Sequence, residues 1–254
     1  MNPTSWRSDK KPARAGRALT WLALAIGVAC AAAALLAGPG YRTEQWSLSM
    51  GFLAIRWATF GAIAGAVAAL IACGLLMRAR AQTGRVLATL ALLLNALVAG
   101  PPLYWHAQAQ RLPKIHDIST DTEDPPAFVA VLPLRQGARN PVDYRPDTAV
   151  QQKLGYPDIE PLRLDVAPAQ AFERAERTAR AMGWQIVAVA PDALRIEATD
   201  TTRFFGFKDD IVIRVRPHLQ GSIVDVRSLS RIGGSDIGAN AQRVRGFLKR
   251  LAAA

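Results

Sequence analysis

The chain has 254 residues, half of them apolar, and a net charge of +11. The basic excess falls mainly on residues 1–105, which carry ten Lys and Arg against two Asp and Glu, while residues 106–254 carry 21 against 18. A nucleic-acid-binding protein would concentrate its basic residues on its soluble part. We therefore expect no nucleic acid partner. Both cysteines, Cys30 and Cys73, lie in apolar runs, which excludes a disulfide framework, a thiolate zinc site and a cysteine nucleophile after residue 105.

Residues 1–105 are predicted to form a three-span transmembrane region. Its uncharged runs, residues 18–41, 57–77 and 86–105, each reach the length of about 20 residues that a helix needs to cross the hydrocarbon core. The first run, behind a basic head, could also be a cleaved signal peptide, but the long head, the long run and the later spans favour an uncleaved anchor.

Two features of the later runs indicate how the spans pack. Gly61 and Gly65 form a G-x-x-x-G in the second run, a spacing that lets helices approach closely. We predict that this run packs against the first and third spans rather than against a second copy of the chain. Asn95, in the middle of the third run, predicts one interhelical hydrogen bond, although it could also line a transport path.

Basic residues in the short loops predict the orientation of the spans. The head has five Lys and Arg and the loop between the second and third spans has three, whereas the opposite side has four. The head is therefore expected in the cytoplasm, and everything after the third span in the periplasm of a bacterial cell. The predicted location is the inner membrane, with the lipid bilayer as a partner.

The remainder is predicted as a tether and ordered loop over 106–126 and a soluble α+β domain over 127–254. Residues 127–134 read as a short strand, 135–160 as irregular chain and 162–166 as a first core strand. A helix over 169–182, with Pro168 in its first turn, precedes four strands and a last helix. The strands are predicted at 184–190, 194–199, 211–216 and 223–229, and the helix at 237–251. This order predicts an antiparallel sheet with two helices packed on one face.

Strand alternation predicts which side chains face the helices and which face away. Apolar residues such as Ile196, Ile213 and Val226 are expected on the helix side. The other face should be ionic and open, either a solvated surface with cross-strand ion pairs or a binding surface. The candidate surface for a ligand or partner comprises Glu197, Thr199, Asp200, Thr201, Thr202, Phe205, Lys208, Asp209, Asp210, Arg214, Arg227, Arg231, Ser235, Asp236 and Asn240.

Two further segments admit competing interpretations. The glycine-rich run 231–243 could leave backbone N–H groups free for an anion at a helix N-terminus, but capping of that helix by Ser235 or Asp236 is favoured. His116 and Asp117 could form a catalytic pair or bind a metal ion. Asp121, Glu123 and Asp124 would add ligands for calcium, yet no calcium-loop pattern is present and these residues also favour local turns. We expect no metal and no cofactor.

The soluble part resembles a known family in five runs of sequence that occur in the same order. These runs are IHDISTDTEDPPAF, YPDIEPL, MGWQIVA, IEATDTTRFFGFKDDIVIRVRP and GSIVDVRSLSRIGGSDIGANAQRVR. Residues 111–251 resemble the family catalogued as domain of unknown function 1499, found in bacterial envelope proteins and some plastid proteins. The resemblance implies no particular reaction, cofactor or catalytic residue. It does favour a single shared surface formed by the polar runs.

Three functional hypotheses follow from these patterns. The first is a non-enzymatic envelope protein that binds a partner or a small polar or anionic ligand. The second is an envelope hydrolase or transferase using Asp200, Asp209, Asp210 or the His116–Asp117 pair. An enzyme requires a pocket where such groups converge, whereas a binding module should show them paired with arginines on a shallow face. A transporter is the weakest, because the spans offer few polar groups.

Overall fold

A computed structural model describes residues 10–253, so the start of the predicted basic head lies outside the described part. The described residues divide into two compact units, with the division between Ala107 and Gln108. Three helices, α1 (Lys10–Arg42), α2 (Leu48–Arg78) and α3 (Gln82–Arg111), contain the three predicted runs and are long and apolar enough to cross a bilayer. The chain is accordingly a multi-pass membrane protein.

Asn95 of α3 lies at the centre of the helix packing in the first unit. Its side chain is fully buried, and its Nδ2 donates to the carbonyl of Ala23 in α1 at 3.0 Å and to that of Ala91 at 2.8 Å. A Cβ added to Gly65 would collide with the Asn95 amide, and one added to Gly61 would lie 2.6 Å from Cys30 Sγ. Both predictions, the interhelical hydrogen bond and the packing of α2 against its two neighbours, are confirmed.

Replacement of Gly65 by alanine is expected to destabilise the helix bundle by about 1–3 kcal/mol, because the new methyl group overpacks the Asn95 contact. Unfolding in mixed micelles titrated with a denaturing detergent measures the loss. Gly74→Ala is the matched control, since a Cβ at Gly74 in the same helix meets no atom within 4 Å. Equal unfolding of the two variants would contradict the packing role given to Gly65.

Among the described residues of the second unit, six strands form one open antiparallel sheet. The strands run in the order β1-β6-β5-β4-β3, and β2 pairs with the same strand, β6, that β1 pairs with. Their bounds are β1 (Asp117–Ser119), β2 (Leu162–Leu164), β3 (Gln185–Ala190), β4 (Arg195–Thr201), β5 (Lys208–His218) and β6 (Gly221–Ser230). The helices are α4 (Pro146–Gly155), α5 (Pro168–Ala181) and α6 (Ala239–Ala252).

The helices α5 and α6 cover one face of this sheet. Apolar side chains at helical spacing on each meet the alternate apolar residues of the strands, as the sequence predicts. Their shared core holds Ala171, Phe172, Ala175, Ala179, Val244, Phe247 and Leu251 from the helices and Ile196, Ile213, Val215, Val224 and Val226 from the strands. On the outer side of α5, Glu176 and Arg180 form an i,i+4 pair at 2.7 Å.

The opposite face of the sheet is covered by the chain between β1 and α4. Phe128 and Val131 pack there against Val212 and Leu229 in a second, smaller core. The strand predicted over 127–134 is therefore wrong, and the segment ends in a 3-10 helix at Leu132–Arg135. Its backbone N–H groups donate to the side chain of Glu197 on β4 instead of pairing with a neighbouring strand. The irregular chain predicted over 135–160 is likewise interrupted by α4.

Candidate functional site

The ionic face that the sequence predicts to be open is buried beneath this covering segment. Strand alternation does place Glu197, Thr199, Arg214, Asp225 and Arg227 on that face, and cross-strand ion pairs form as expected. The prediction that this face is exposed to solvent, however, is wrong for most of its residues. Glu197, Thr199, Asp210, Asp225 and Arg227 are buried. The polar groups of this face therefore contact protein rather than water.

Glu197 anchors the covering segment to the sheet. Its carboxylate, 1% exposed, accepts hydrogen bonds from the backbone N–H groups of Val129, Ala130 and Val131 at 3.0–3.1 Å. Arg195 donates through Nε at 3.0 Å from the same strand. Successive backbone N–H groups that converge in this way make a nest for an anion. The protein fills the nest with its own carboxylate.

A second buried carboxylate, Asp210, joins three elements. It accepts from Arg135 Nη1 at 2.5 Å, from Arg231 at 2.8 and 2.9 Å, and from the Thr199 hydroxyl at 2.7 Å. Burial alone would raise the pKa of Asp210, but the hydrogen bonds from Arg231 and Thr199 and the nearby positive charges hold that pKa below its usual range. Asp210 is therefore charged at neutral pH and tied to its partners.

Arg227 and Asp117 form a bidentate pair between β6 and β1. The Nε and Nη2 atoms of Arg227 donate to the two carboxylate oxygens at 3.0 and 2.7 Å. The guanidinium also lies 5.0 Å from the ring centroid of Phe128 and 5.3 Å from that of Tyr144. Burial raises the pKa of Asp117, and the charge of Arg227 offsets part of that rise. These contacts fix the covering segment against the edge of the sheet.

Asp225, fully buried on β6, pairs with two arginines of the neighbouring strand. Its Oδ2 accepts from Arg214 and Arg216 at 3.2 and 2.8 Å. Both guanidinium groups also donate to Asp121 of the covering segment. Arg214 also donates to exposed Asp124 at 2.8 Å, so the two arginines of this cluster are shared among three carboxylates.

On the helix side, Arg243 of α6 links the helix to the ends of β4 and β5. Its Nε donates to Asp200 at 2.9 Å and its Nη2 to Asp209 at 2.6 Å. Nη1 donates to Asn240 and Ser228, and the Asn240 amide reaches Ser230 and the His116 carbonyl. Asp200 and Asp209, both candidates for catalysis, therefore serve as anchors for α6.

The N-terminus of α6 is capped by the protein itself. Asp236 accepts from the backbone N–H of Gly238 at 2.9 Å and from that of Asn240 at 2.8 Å, and Ser235 accepts from Ile237. Gly238 has φ of +79°, a left-handed conformation that glycine adopts without strain. Burial raises the pKa of Asp236, while its backbone hydrogen bonds oppose that rise. Capping, the favoured reading of this segment, is confirmed.

Asp236→Ala is expected to cost about 1–2 kcal/mol of unfolding free energy, because the N–H groups of the N-cap residue Gly238 and of Asn240 in the first turn lose their acceptor. Urea-dependent proteolysis of the full-length chain in detergent measures this loss. Ser235→Ala removes only one hydrogen bond of 3.2 Å and should cost less. The reverse order would show that Ser235, not Asp236, is the main cap.

The loop between β4 and β5 holds the candidate residues that remain most accessible. Thr201 and Lys208 are exposed, and Thr202 and Phe205 are half-buried. The Thr202 hydroxyl accepts from the N–H of Phe207 at 2.8 Å, and Gly206, with φ of +71°, donates to the Thr202 carbonyl. The turn is thus closed by its own hydrogen bonds while its polar and aromatic side chains reach the surface.

The acidic run after His116 is folded into a local turn. Among residues 10–253, no group of three or more His, Cys, Asp or Glu side chains is placed to hold an ion. Asp121 instead accepts from the backbone N–H of Glu123 and Asp124, which is the local turn that such residues favour. His116 contributes its carbonyl, which accepts from Ser230.

Sequence reasoning missed several residues of this network. Arg135 completes the Asp210 pair, yet it lies far along the chain from its partner. Gln152 of α4, 1% exposed, accepts from the N–H of Ser119 and donates to its carbonyl, in place of a further strand beside β1. Pro146, which suits the first turn of a helix, could have indicated the start of α4, but nothing local predicts these long-range partners.

Fold and site together define a multi-pass membrane protein whose α+β domain is held by buried pairs of arginine and carboxylate. Residues 117–251, more than half of the chain, match the family model described as Protein of unknown function (DUF1499). The chain belongs to that family, which confirms the resemblance of its soluble part. A search of curated proteins finds no match.

Proposed function

We propose that this protein is an inner-membrane protein that presents its family domain in the periplasm as a binding module. Its target is a partner protein of the envelope or a small polar or anionic ligand. The excess of basic residues in the head and in the loop between α2 and α3 supports this orientation. The binding surface is formed by the loop after β4 and the segment before α6.

The pairing of carboxylates with arginines is the observation that carries this proposal. Asp117 accepts from Arg227 and Asp210 from Arg231, while Asp200 and Asp209 both accept from Arg243. A general acid or base must come within hydrogen-bonding reach of a substrate. Carboxylates engaged in this way favour a binding module over the hydrolase or transferase alternative.

A cavity at the β5–β6 hairpin supports the same conclusion. A hollow of about 670 Å³ is lined by residues around the β5–β6 hairpin, including Arg163, His218 and Ser222. Asp209 and Asp210 lie at the other end of β5, paired with Ser230 and Leu229 at the far end of β6. The candidate catalytic carboxylates thus do not converge on this hollow.

Because the carboxylates are paired, the groups that are available to bind a target lie on an exposed surface at one end of the sheet. Thr201 and Lys208 flank the loop after β4, and the main chain of Lys208 accepts from Arg231 at 3.0 Å. Gly233 and Gly234 are exposed in the next segment. Hydroxyl, ammonium and accessible backbone groups on this surface suit a polar or anionic target.

Two measurements test the proposal. A reporter active only in the periplasm, fused after residue 110, should be active, whereas a reporter active only in the cytoplasm should not be. A photo-crosslinking residue at Thr201 should then form a specific adduct in living cells, while the same residue at exposed Asp192, in the β3–β4 connection, should not. Cytoplasmic activity, or equal labelling from both positions, would overturn the proposal.

A further inference from the structure

The loop between β4 and β5 presents three aromatic rings between two basic residues, and residues 203–208 are named the aromatic loop below. The ring of Phe204 is 41% exposed and meets Phe205 edge-on, with centroids 5.0 Å apart. Phe205 stacks on Phe207, also at 5.0 Å. These rings belong to neither of the two cores that flank the sheet. They form an ordered projection flanked by the exposed residues Arg203 and Lys208.

The aromatic loop lies at the end of the sheet where the chain enters the domain. The carbonyl of Lys208 accepts from Arg231, and the adjacent Ser230 donates to the carbonyl of His116, each at 3.0 Å. His116 closes the five-residue link that follows α3 and precedes β1. The hairpin between β5 and β6, with Leu219 94% exposed, lies at the opposite end of the sheet.

Aromatic and basic groups together on one projection suit one class of partner. Exposed aromatic side chains favour the boundary between water and acyl chains, and lysine and arginine are attracted to anionic headgroups. The three spans keep such a surface permanently available to this chain. A soluble ligand would not account for a large exposed ring at the tip of the loop, because such rings bind best within a pocket.

We propose that the aromatic loop rests in the headgroup layer of an anionic lipid bilayer, with Phe204 inserted and with Arg203 and Lys208 among the phosphates. This inference rests on the proposed function, because it names the partner of one part of that binding surface. The loop would then act as a second membrane contact beside the spans. Such a contact would restrict the domain's tumbling and fix which of its surfaces faces a target.

Fluorescence quenching of the full-length chain tests this contact. In a background lacking Cys30 and Cys73, Phe204→Cys carries an environment-sensitive dye, and Leu219→Cys carries the same dye as the matched control. Both proteins are placed in nanodiscs, in which both faces of the bilayer are open to water. The nanodiscs contain phosphatidylcholine, with and without phosphatidylglycerol. Lipids with a quencher on the acyl chain should reduce emission at position 204 several-fold more than at position 219. The difference should grow with phosphatidylglycerol.

Equal lipid quenching at the two positions in both types of nanodisc would overturn the inference. A dye at position 204 that is shielded from aqueous iodide but not quenched by lipid would also overturn it, and would show that the loop is covered by protein. Periplasmic reporter activity together with either result would leave the proposed function intact while removing the bilayer contact. Circular dichroism confirms folding, since replacing Phe204 leaves the stack of Phe205 on Phe207 in place.

Discussion

Replacing Glu197 with alanine is expected to release the covering segment from the sheet. Three backbone N–H groups and Arg195 would lose their shared acceptor at a site that is 1% exposed. Each buried donor left without a partner costs about 1–3 kcal/mol, and partial relaxation of the segment toward water brings the expected total to about 3–4 kcal/mol. Glu197→Gln should cost less, because its carbonyl oxygen can still accept.

Hydrogen exchange of the full-length chain in detergent measures this effect locally. Amides of residues 129–131 should exchange at least about a hundredfold faster in Glu197→Ala, given that each 1.4 kcal/mol is a factor of ten. The matched control is Glu173→Ala, because Glu173 lies on the exposed side of α5 in a long 3.9 Å pair with Arg177. Unchanged exchange at 129–131 would show that the segment is held by its apolar contacts alone.

The fold of the soluble unit was largely predictable from periodic patterns. Alternation in β4, β5 and β6 and the apolar stripes of α5 and α6 identify their buried sides, because burial on one face imposes a period of 2 on strands and 3.6 on helices. The segment at 127–134 does not follow the strand pattern. Phe128 and Val131, three residues apart, pack inward, and its N–H groups bond to Glu197 rather than to a neighbouring strand.

The site was less predictable, because composition shows charges without showing their partners. The sequence correctly placed Glu197 and Thr199 on the face away from the helices. It could not reveal that Arg135, 75 positions before Asp210, would fold over that face and bury it. A solvated ionic face and a buried ionic network share one alternating pattern. Only the path of the covering segment distinguishes them.

Asp210→Ala is expected to destabilise the domain by about 3–5 kcal/mol, because it leaves Arg135 and Arg231 without their shared buried partner. Asp200→Ala should cost about 1 kcal/mol or less, since the Asp200 side chain is 34% exposed. Pulse proteolysis of the full-length chain in detergent across a urea series compares the two. A small loss in Asp210→Ala would instead leave Asp210 free to serve a site.

The pH dependence of stability gives an independent readout of Asp210. Its pKa in the folded state is lowered, so its stabilising contribution is complete above the unfolded value of about 4 and is lost as pH falls through the folded value. The difference in stability between the wild type and Asp210→Asn should therefore be constant from neutral pH to about 4 and shrink below it. A difference that disappears already between neutral pH and 5 would contradict the assignment.

Replacing Asp210, Arg135 and Arg231 together by apolar residues distinguishes two causes of instability. One is the loss of the attraction between these charges, and the other is the cost of burying an arginine that has no partner. Combining Asp210→Leu with Arg135→Met and Arg231→Met removes every charge of the cluster at once. Because much of the single-variant loss comes from the two unpaired arginines, the triple variant should recover most of it. Recovery would show that Asp210 serves to hold the covering segment on the sheet. Continued instability would show that this geometry depends on the hydrogen bonds themselves, including that from Thr199.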